Sequence, residues 1–562
     1  MRSSPLHPPV VVRALPSWRG RLMVAVFAAG LLTVSSGAVD EAQAQLVPPS
    51  PGLEASPQKA TDRGLSLEGY LRVRSDLFYN LDLDRGPTPS GQLFFPLPTS
   101  NPAKQTLQSA NTRLRLEPVW QLGSSVRLLA RVDVLDNVVL GSTPRGLPRT
   151  DNTPMVGATV AQAPPVAGKN SWVDSVAVKR VWGEVLLPFG LLSIGRQGAV
   201  VNWGTGFFVN SGRHLDADGS DAADRVSFAT SLLGHLWLVA FDWSATGPVS
   251  PTRGFDAPSL NLDNKDDVLT WSFGVARYHT DAGIKRRLRA GSYSINYGLL
   301  GSYRKQDKDV PGYYTEGGFG QEYGPNAYVF RGNKTVTGDL WFRFQSRRFR
   351  IELEAAVLYS QVANASLDPS VELRRKLTSL QYGGVLQTAW RPFGGGLSTG
   401  VEVGLASGDS APGFGVSPSM NQRYALPGDI DGPQFRLPGD KTVNNFRFHR
   451  DYHVDLILWR QILGTVTDAV YFRPWVRWQS SWGLRLEGVV VSSFALHSES
   501  TPGGESPLGV EVDVLAAYRY DKAFDVRVGL GTLFPLAGLS NIELNLDAKP
   551  AMTVHTVVAY VF

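Results

Sequence analysis

The chain of 562 residues contains no cysteine. That absence excludes a disulfide framework, a thiolate-ligated zinc or iron–sulfur centre, and catalysis by a cysteine nucleophile. Long apolar runs are missing as well. Beyond residue 34, no stretch approaches the roughly 18–20 apolar residues that a membrane-crossing helix needs. Charged residues make up only 19% of the chain and nearly balance at +5, which gives no case for nucleic acid. What is present is 58 glycines, 10% aromatic and 43% hydrophobic residues. Such a composition suits an all-β protein whose two faces meet different surroundings, and a large barrel is one way to use this length in one domain.

The first residues address the compartment. Arg2, Arg13, Arg19 and Arg21 precede the apolar run Leu22–Val34, and Ala42-Gln43-Ala44 supplies small residues for a signal peptidase. The order predicts a cleaved signal peptide over 1–44, with an uncleaved anchor as the alternative. Its removal lowers the formal charge from +5 to +3. Residues 45–64 are rich in Pro, Ser and Gln and read as a flexible periplasmic leader without apolar surface to bury.

From residue 65 to 562 the hydrophobic period is two. Leu67, Leu71, Val73 and Leu77 share one face, while Glu68, Arg72, Arg74 and Asp76 share the other. Val126–Val134, Arg348–Val357 and Val510–Val514 repeat the pattern. Alternation of this kind describes strands with one apolar and one wet side. A soluble sandwich is the competing reading, but many segments run well beyond the typical strand of about 5–6 residues. Short turns also alternate with long polar loops. The expectation is an all-β, transmembrane antiparallel β-barrel with long extracellular loops and short periplasmic turns. Eighteen strands satisfy the even parity of such barrels, with sixteen as the alternative if one hairpin is slipped. The longest loop covers 408–450. In 452–464, Val454, Ile457, Leu458, Gln461 and Ile462 carry helical spacing, so this segment is read as an infolded helix constricting the lumen, with His453 and Asp455 on it. The final strand alternates through Met552, Val554, Thr556, Val558, Tyr560 and Phe562, and its aromatic end is similar to the signal read by the barrel-assembly machinery.

Motifs for chemistry are weak. Gly396–Gly400 fits G-x-S-x-G around Ser398, yet it enters a strand rather than a nucleophile elbow. His449 and His453 lack the H-E-x-x-H glutamate and have Arg450 between them. Asp216, Asp218, Asp221 and Asp224 are weak calcium candidates without the terminal glutamate of a calcium loop, and a solvated acidic surface loop is the plainer reading. Asp429, Asp431 and Asp440 are read the same way. No metal or cofactor is implied. The wet face is more informative. It carries Arg72, Arg74, Arg113, Arg115, Arg127, Arg131, Arg343, Arg348, Arg350, Arg477, Arg485 and Arg527, with Glu352 and Glu354 among the facing acids. Charges at the bilayer midplane cost roughly 2–4 kcal/mol toward lipid, so these groups should line the pore. Two readings of the ladder stay open: anion selection by arginine, or arginine and acid satisfying one another across strands.

Three segments carry a family likeness: Gly69-Tyr70-Leu71-Arg72-Val73-Arg74, Trp203-Gly204-Thr205-Gly206 before Asn210-Ser211-Gly212, and His453–Leu458 running into Gly464–Asp468. On these residues the mature chain resembles porin-like barrels, above all an uncharacterised family of predicted outer-membrane proteins from myxobacteria. It is more faintly similar to the eighteen-stranded alginate exporters, whose Arg-rich lumen passes an acidic polysaccharide. The resemblance assigns no catalytic or binding residue. The expected function is passive diffusion of small polar or anionic solutes through an Arg-rich lumen across the outer membrane of a Gram-negative bacterium. An exporter of an anionic polysaccharide is the alternative; an outer-membrane hydrolase or an adhesion or structural barrel are alternatives of other classes. The expected partners are outer-membrane lipid, the assembly machinery and the solutes themselves, without nucleic acid and without enzymatic activity.

Overall fold

The computed structural model describes residues 63–141, 176–251, 258–310, 328–364, 376–391, 396–414, 425–430 and 439–562. The expected signal peptide, the expected leader up to residue 62, and Asp431 lie outside them; Gly64, read as the end of the leader, already opens the first strand. Twenty strands follow in chain order. The first seven are β1 (Gly64–Tyr79), β2 (Thr106–Gln121), β3 (Val126–Val139), β4 (Val176–Leu187), β5 (Gly190–Gln197), β6 (Ala223–Leu232) and β7 (His235–Ala245). A small hairpin, β8 (Val249–Pro251) and β9 (Ser259–Asn261), interrupts the series. It resumes with β10 (Val268–Arg277), β11 (Ser294–Asp309), β12 (Val329–Gln345), β13 (Phe349–Val362), β14 (Leu377–Trp390) and β15 (Leu397–Ala406). The last five are β16 (Ala469–Gln479), β17 (Leu484–Ala495), β18 (Pro507–Tyr520), β19 (Phe524–Pro535) and β20 (Ala551–Val561).

Apart from β8 and β9, all pair antiparallel with their neighbours in one 18-stranded sheet, and β20 closes it onto β1. At that seam Gly69 N–H donates to Phe562 O at 2.9 Å, and Phe562 N–H donates to Gly69 O at 3.1 Å. Closure leaves no edge, which a sheet in lipid requires. Every second residue points outward, and most of these are apolar: Leu67 is 49% exposed, Val476 54%, Val514 53% and Met552 52%. The strand number and its even parity agree with the sequence pattern.

Short connections such as 188–189, 233–234 and 521–523 lie at one end; 80–105, 198–222 and 407–468 lie at the other. Short turns face the periplasm in such barrels. One periplasmic connection is longer than the rest. The stretch 280–290 holds helix α1 (Asp281–Arg289). Thr280 Oγ1 accepts Gly283 N–H at 3.3 Å as the N-cap, and Ile284 is fully buried beneath it.

The hydrophobic core lies inside the barrel, not around it. Phe207, Phe414, Phe446, Phe448, Leu456 and Trp459 come from infolded loops and pack on Tyr471, Trp475, Val489, Val491 and Ala551 of the wall. Phe207 and Phe448 meet edge to face with centroids 4.8 Å apart. The wall prepares for this. In β17 the run Val489-Val490-Val491 is apolar on both faces, because its inner side touches protein instead of water. The infolded segment is helical only over Leu458–Ile462, a single turn with i→i+5 bonds (Ile462 N–H to Ile457 O, 3.0 Å; Leu463 N–H to Leu458 O, 2.9 Å). It is shorter than the helix read over 452–464 and belongs to one loop spanning 407–468. It forms no strand.

Candidate functional site in the barrel lumen

Strand register sets the arginine ladder. Arg72 stands opposite Arg113 across β1 and β2, and Tyr70 opposite Arg115. Facing guanidiniums repel, so the arrangement requires acceptors between them. Loop 198–222 supplies them from inside. Arg72 Nη1 donates to Leu215 O (2.9 Å), Arg113 Nη1 to Ala217 O (2.6 Å), Arg115 Nη1 to Gly212 O (2.8 Å) and Arg131 Nη1 to Ser211 O (3.0 Å). Carboxylates complete the set. Arg115 grips Asp133 with Nε and Nη2, both at 2.7 Å, and Arg131 Nε meets Glu117 at 2.5 Å. Arg74 Nη1 reaches Asp218 at 2.8 Å and Asp216 at 3.3 Å.

The remaining ladder residues are distributed around the wall. Arg127 Nε donates to Glu184 at 2.5 Å, Arg343 Nε to Glu352 at 2.9 Å, and Arg350 also holds Glu352. Arg477 Nε donates to Glu487 at 2.9 Å. Arg527 Nε meets Asp525 at 2.5 Å. Arg348 is exposed on the turn before β13. Arg485 is half-buried and, among the described residues, forms neither hydrogen bond nor ion pair. Most members of the ladder are thus paired with acids or carbonyls, and Arg485 has no such pairing among the described residues.

The acidic run is corrected most. Asp216 is fully buried, so 216–224 is not simply a solvated surface loop. Asp216 meets Arg460 at 2.5 Å, His555 at 3.0 Å and Arg74 at 3.3 Å. Burial alone would push its carboxyl up, but Arg460, His555 and Arg74 hold it well below the usual carboxylate range. A carboxylate ringed by cations offers nothing to calcium. Asp218 is likewise paired with Arg74, and Asp221 Oδ2 accepts Asn210 N–H at 3.1 Å. Asp429 accepts Ser90 and Leu426 N–H at 3.0 and 2.7 Å, and Asp440 accepts Thr442 N–H at 3.0 Å.

The infolded turn hangs from two carboxylates. Glu511 of β18 accepts the N–H groups of Leu456, Ile457 and Leu458 at 2.9, 2.8 and 3.0 Å. Asp455 accepts Trp459 N–H at 3.0 Å and Arg460 N–H at 3.2 Å. The predicted constriction residues are therefore packed into the plug. Asp455 is fully buried, and burial together with Glu511 pushes its carboxyl well up. His453 is 7% exposed, and burial beside Arg460 pushes its imidazole well below the usual range.

The Trp203–Gly206 segment docks on the opposite wall. Trp203 Nε1 donates to Asp339 at 3.1 Å, while Thr205 donates its hydroxyl to Glu354 Oε2 at 2.7 Å and its N–H to the same oxygen. Gly204 has φ +55°, and a Cβ there would lie 2.3 Å from that oxygen. Sequence reasoning missed Arg180, Glu402, Asp451, Arg460 and Arg473. Arg180 donates to the carbonyls of Ala199 (3.0 Å) and Asp221 (2.6 Å), Asp451 accepts Asp218 and Gly219 N–H (2.7 and 2.8 Å), and Glu402 accepts the hydroxyls of Tyr452 and Tyr471 (2.8 and 2.6 Å). The period-two phase of Glu184 and Arg477 already marks Arg180 and Arg473 as inward; the loop residues carry no such signal. Ser398 is buried within β15, 3.5 Å from Arg477 O, and no helix follows it to make an elbow.

A closed sheet with an apolar outer face and a charged inner face fits one solvent arrangement. The chain is an outer-membrane β-barrel. No protein-family model and no curated protein sequence matches this barrel. Solved structures similar to it include a BenF-like porin from Pseudomonas fluorescens Pf-5, 10% identical, with a TM-score of 0.41 over 88% of this chain and 98% of that one. OccK9 (OpdG) of Pseudomonas aeruginosa is 13% identical, with a TM-score of 0.42 over 89% and 98%. The outer membrane channel DcaP of Acinetobacter baumannii is 11% identical, with a TM-score of 0.37 over 90% and 99%.

Proposed function

We propose that the protein is a passive outer-membrane channel, narrowed by its own loops, that favours small polar solutes carrying negative charge. The observation that carries this reading is the unpaired Arg485 on the inner wall. Its charged neighbours are Arg477, Glu487, Arg527 and Asp525, the two acids being held by Arg477 and Arg527, and with Arg527, Leu515, Gly529 and His555 it lines a cleft. A guanidinium that forms no ion pair or hydrogen bond among the described residues keeps its donors for a passing anion. Passive movement fits a chain whose sequence holds no nucleotide or cofactor motif.

The test is current through purified protein in a planar bilayer under a salt gradient. The expected result is discrete conductance with a reversal potential favouring anions, shifted toward cations in Arg485→Gln with barrel assembly intact. A reversal potential that ignores Arg485 overturns the selectivity. A second reading, a closed structural barrel, draws support from the apolar core inside the lumen. Absence of any conductance would favour it over the channel.

A further inference from the structure

Several cations of the periplasmic end gather in one place. The β10–β11 connection holds α1, and α1 is fixed at both ends. Thr280 caps its start, while Arg347 of the β12–β13 turn donates Nε–H to Leu288 O at 2.5 Å and a second N–H to Arg289 O. Ile284 is fully buried beneath it. The helix is therefore a rigid part of the rim. It exposes Arg286, Arg287 and Arg289, none of which pairs with a carboxylate among the described residues, and exposed Arg348 lies on the neighbouring turn.

The patch continues onto the lipid side. Arg277, exposed at the end of β10, follows the outward phase of Trp271 and Phe273 and stands opposite Tyr297, which is 36% exposed. Tyr293 is 55% exposed nearby in sequence at the start of β11. Tyrosines at a barrel rim sit at headgroup depth. Arg277 and Arg287 both lie close enough to His279 to act on its ring charge, so the outward rim and the helix form one field.

We propose that α1 with Arg277 is a docking surface for anionic phospholipid in the periplasmic leaflet, binding its headgroup phosphates. Charge complementarity and continuity with the lipid-facing tyrosines select lipid over a soluble acidic partner, which would have no use for Arg277. The inference rests on the barrel and not on the channel reading, so a protein without conductance leaves it standing.

The test uses the full chain in nanodiscs of phosphatidylethanolamine with and without phosphatidylglycerol, with lipids retained on the released barrel counted by native mass spectrometry. Wild type should retain phosphatidylglycerol in preference to phosphatidylethanolamine. Replacing Arg286, Arg287 and Arg289 together by Gln should cut that preference by at least about tenfold, since each removes one cation attracting the anionic surface. Arg277→Gln alone should cause a smaller loss, and it keeps the proposal testable if the triple variant assembles poorly. Lys522→Gln, on another periplasmic turn, should change nothing. No preference in wild type, equal retention by the α1 and Arg277 variants, or an equal loss with Lys522→Gln would overturn the proposal. A patch serving a soluble acidic partner gives the second of these results.

Discussion

Gly69 sits where three strands converge. A Cβ there would lie 2.2 Å from Arg115 O and 2.9 Å from the Phe562 ring, so only glycine lets β1 approach both β2 and the chain's last residue. Gly69→Ala must move backbone at the closing seam, a strain of about 1–3 kcal/mol by analogy with overpacked cores. The expected outcome is a reduced yield of the heat-modifiable folded band in electrophoresis, larger than for Gly123→Ala, where a Cβ meets nothing within 4 Å. Equal yields would remove the steric role of Gly69. The direction a wall residue points was readable from period two, because the pleat enforces it. Its partner was not: the carbonyls of Gly212, Leu215 and Ala217 belong to a loop about 100 residues or more from the arginines that hold them.

Among elements, strands were legible and loops were not. Alternation in β1, β3, β13, β18 and β20 follows from contact with two different media, whereas a loop's path depends on what it meets inside. Asp468 illustrates this. It ends loop 407–468 and hydrogen-bonds His497 at 2.8 Å and Ser500, tying that loop to 496–506. Burial pushes its carboxyl up to about 6, despite the opposing hydrogen bonds from Ser500 and His497. Between its usual value of about 4 and that raised value, the folded loop keeps a proton that an opened loop releases. The stability of this tie therefore falls as pH rises through the window, on the order of 2–3 kcal/mol in all. Hydrogen exchange of 496–506, corrected for intrinsic rates, should accelerate from pH 4 to 6 in wild type and lose that slope in Asp468→Asn. An unchanged slope in the variant would assign it to another group.

For the whole molecule, the plug and the wall are separate achievements. The wall closes through backbone hydrogen bonds alone, while the plug depends on side chains such as Glu511, Arg74 and Arg180 reaching into loops. Replacing 454–463 by a Gly-Ser segment of equal length should raise single-channel conductance and leave the heat-modifiable barrel intact. Loss of the barrel would mean that the plug core is required for closure. Unchanged conductance would place the narrowest point elsewhere.

Sequence by itself determined the barrel: its period, its even parity and the inward phase of most strand charges. These follow from a pleat of two and from the cost of charge in lipid, both local to a strand. It also marked Trp203–Gly206 as distinctive without saying why. Only the tertiary structure decided that Glu354 is the acceptor awaiting Thr205, that Asp216 is ringed by Arg74, Arg460 and His555, and that much of the arginine ladder holds a loop in the lumen. Those pairings join residues 80 or more positions apart, and no local pattern encodes which loop a closed wall will fold inward.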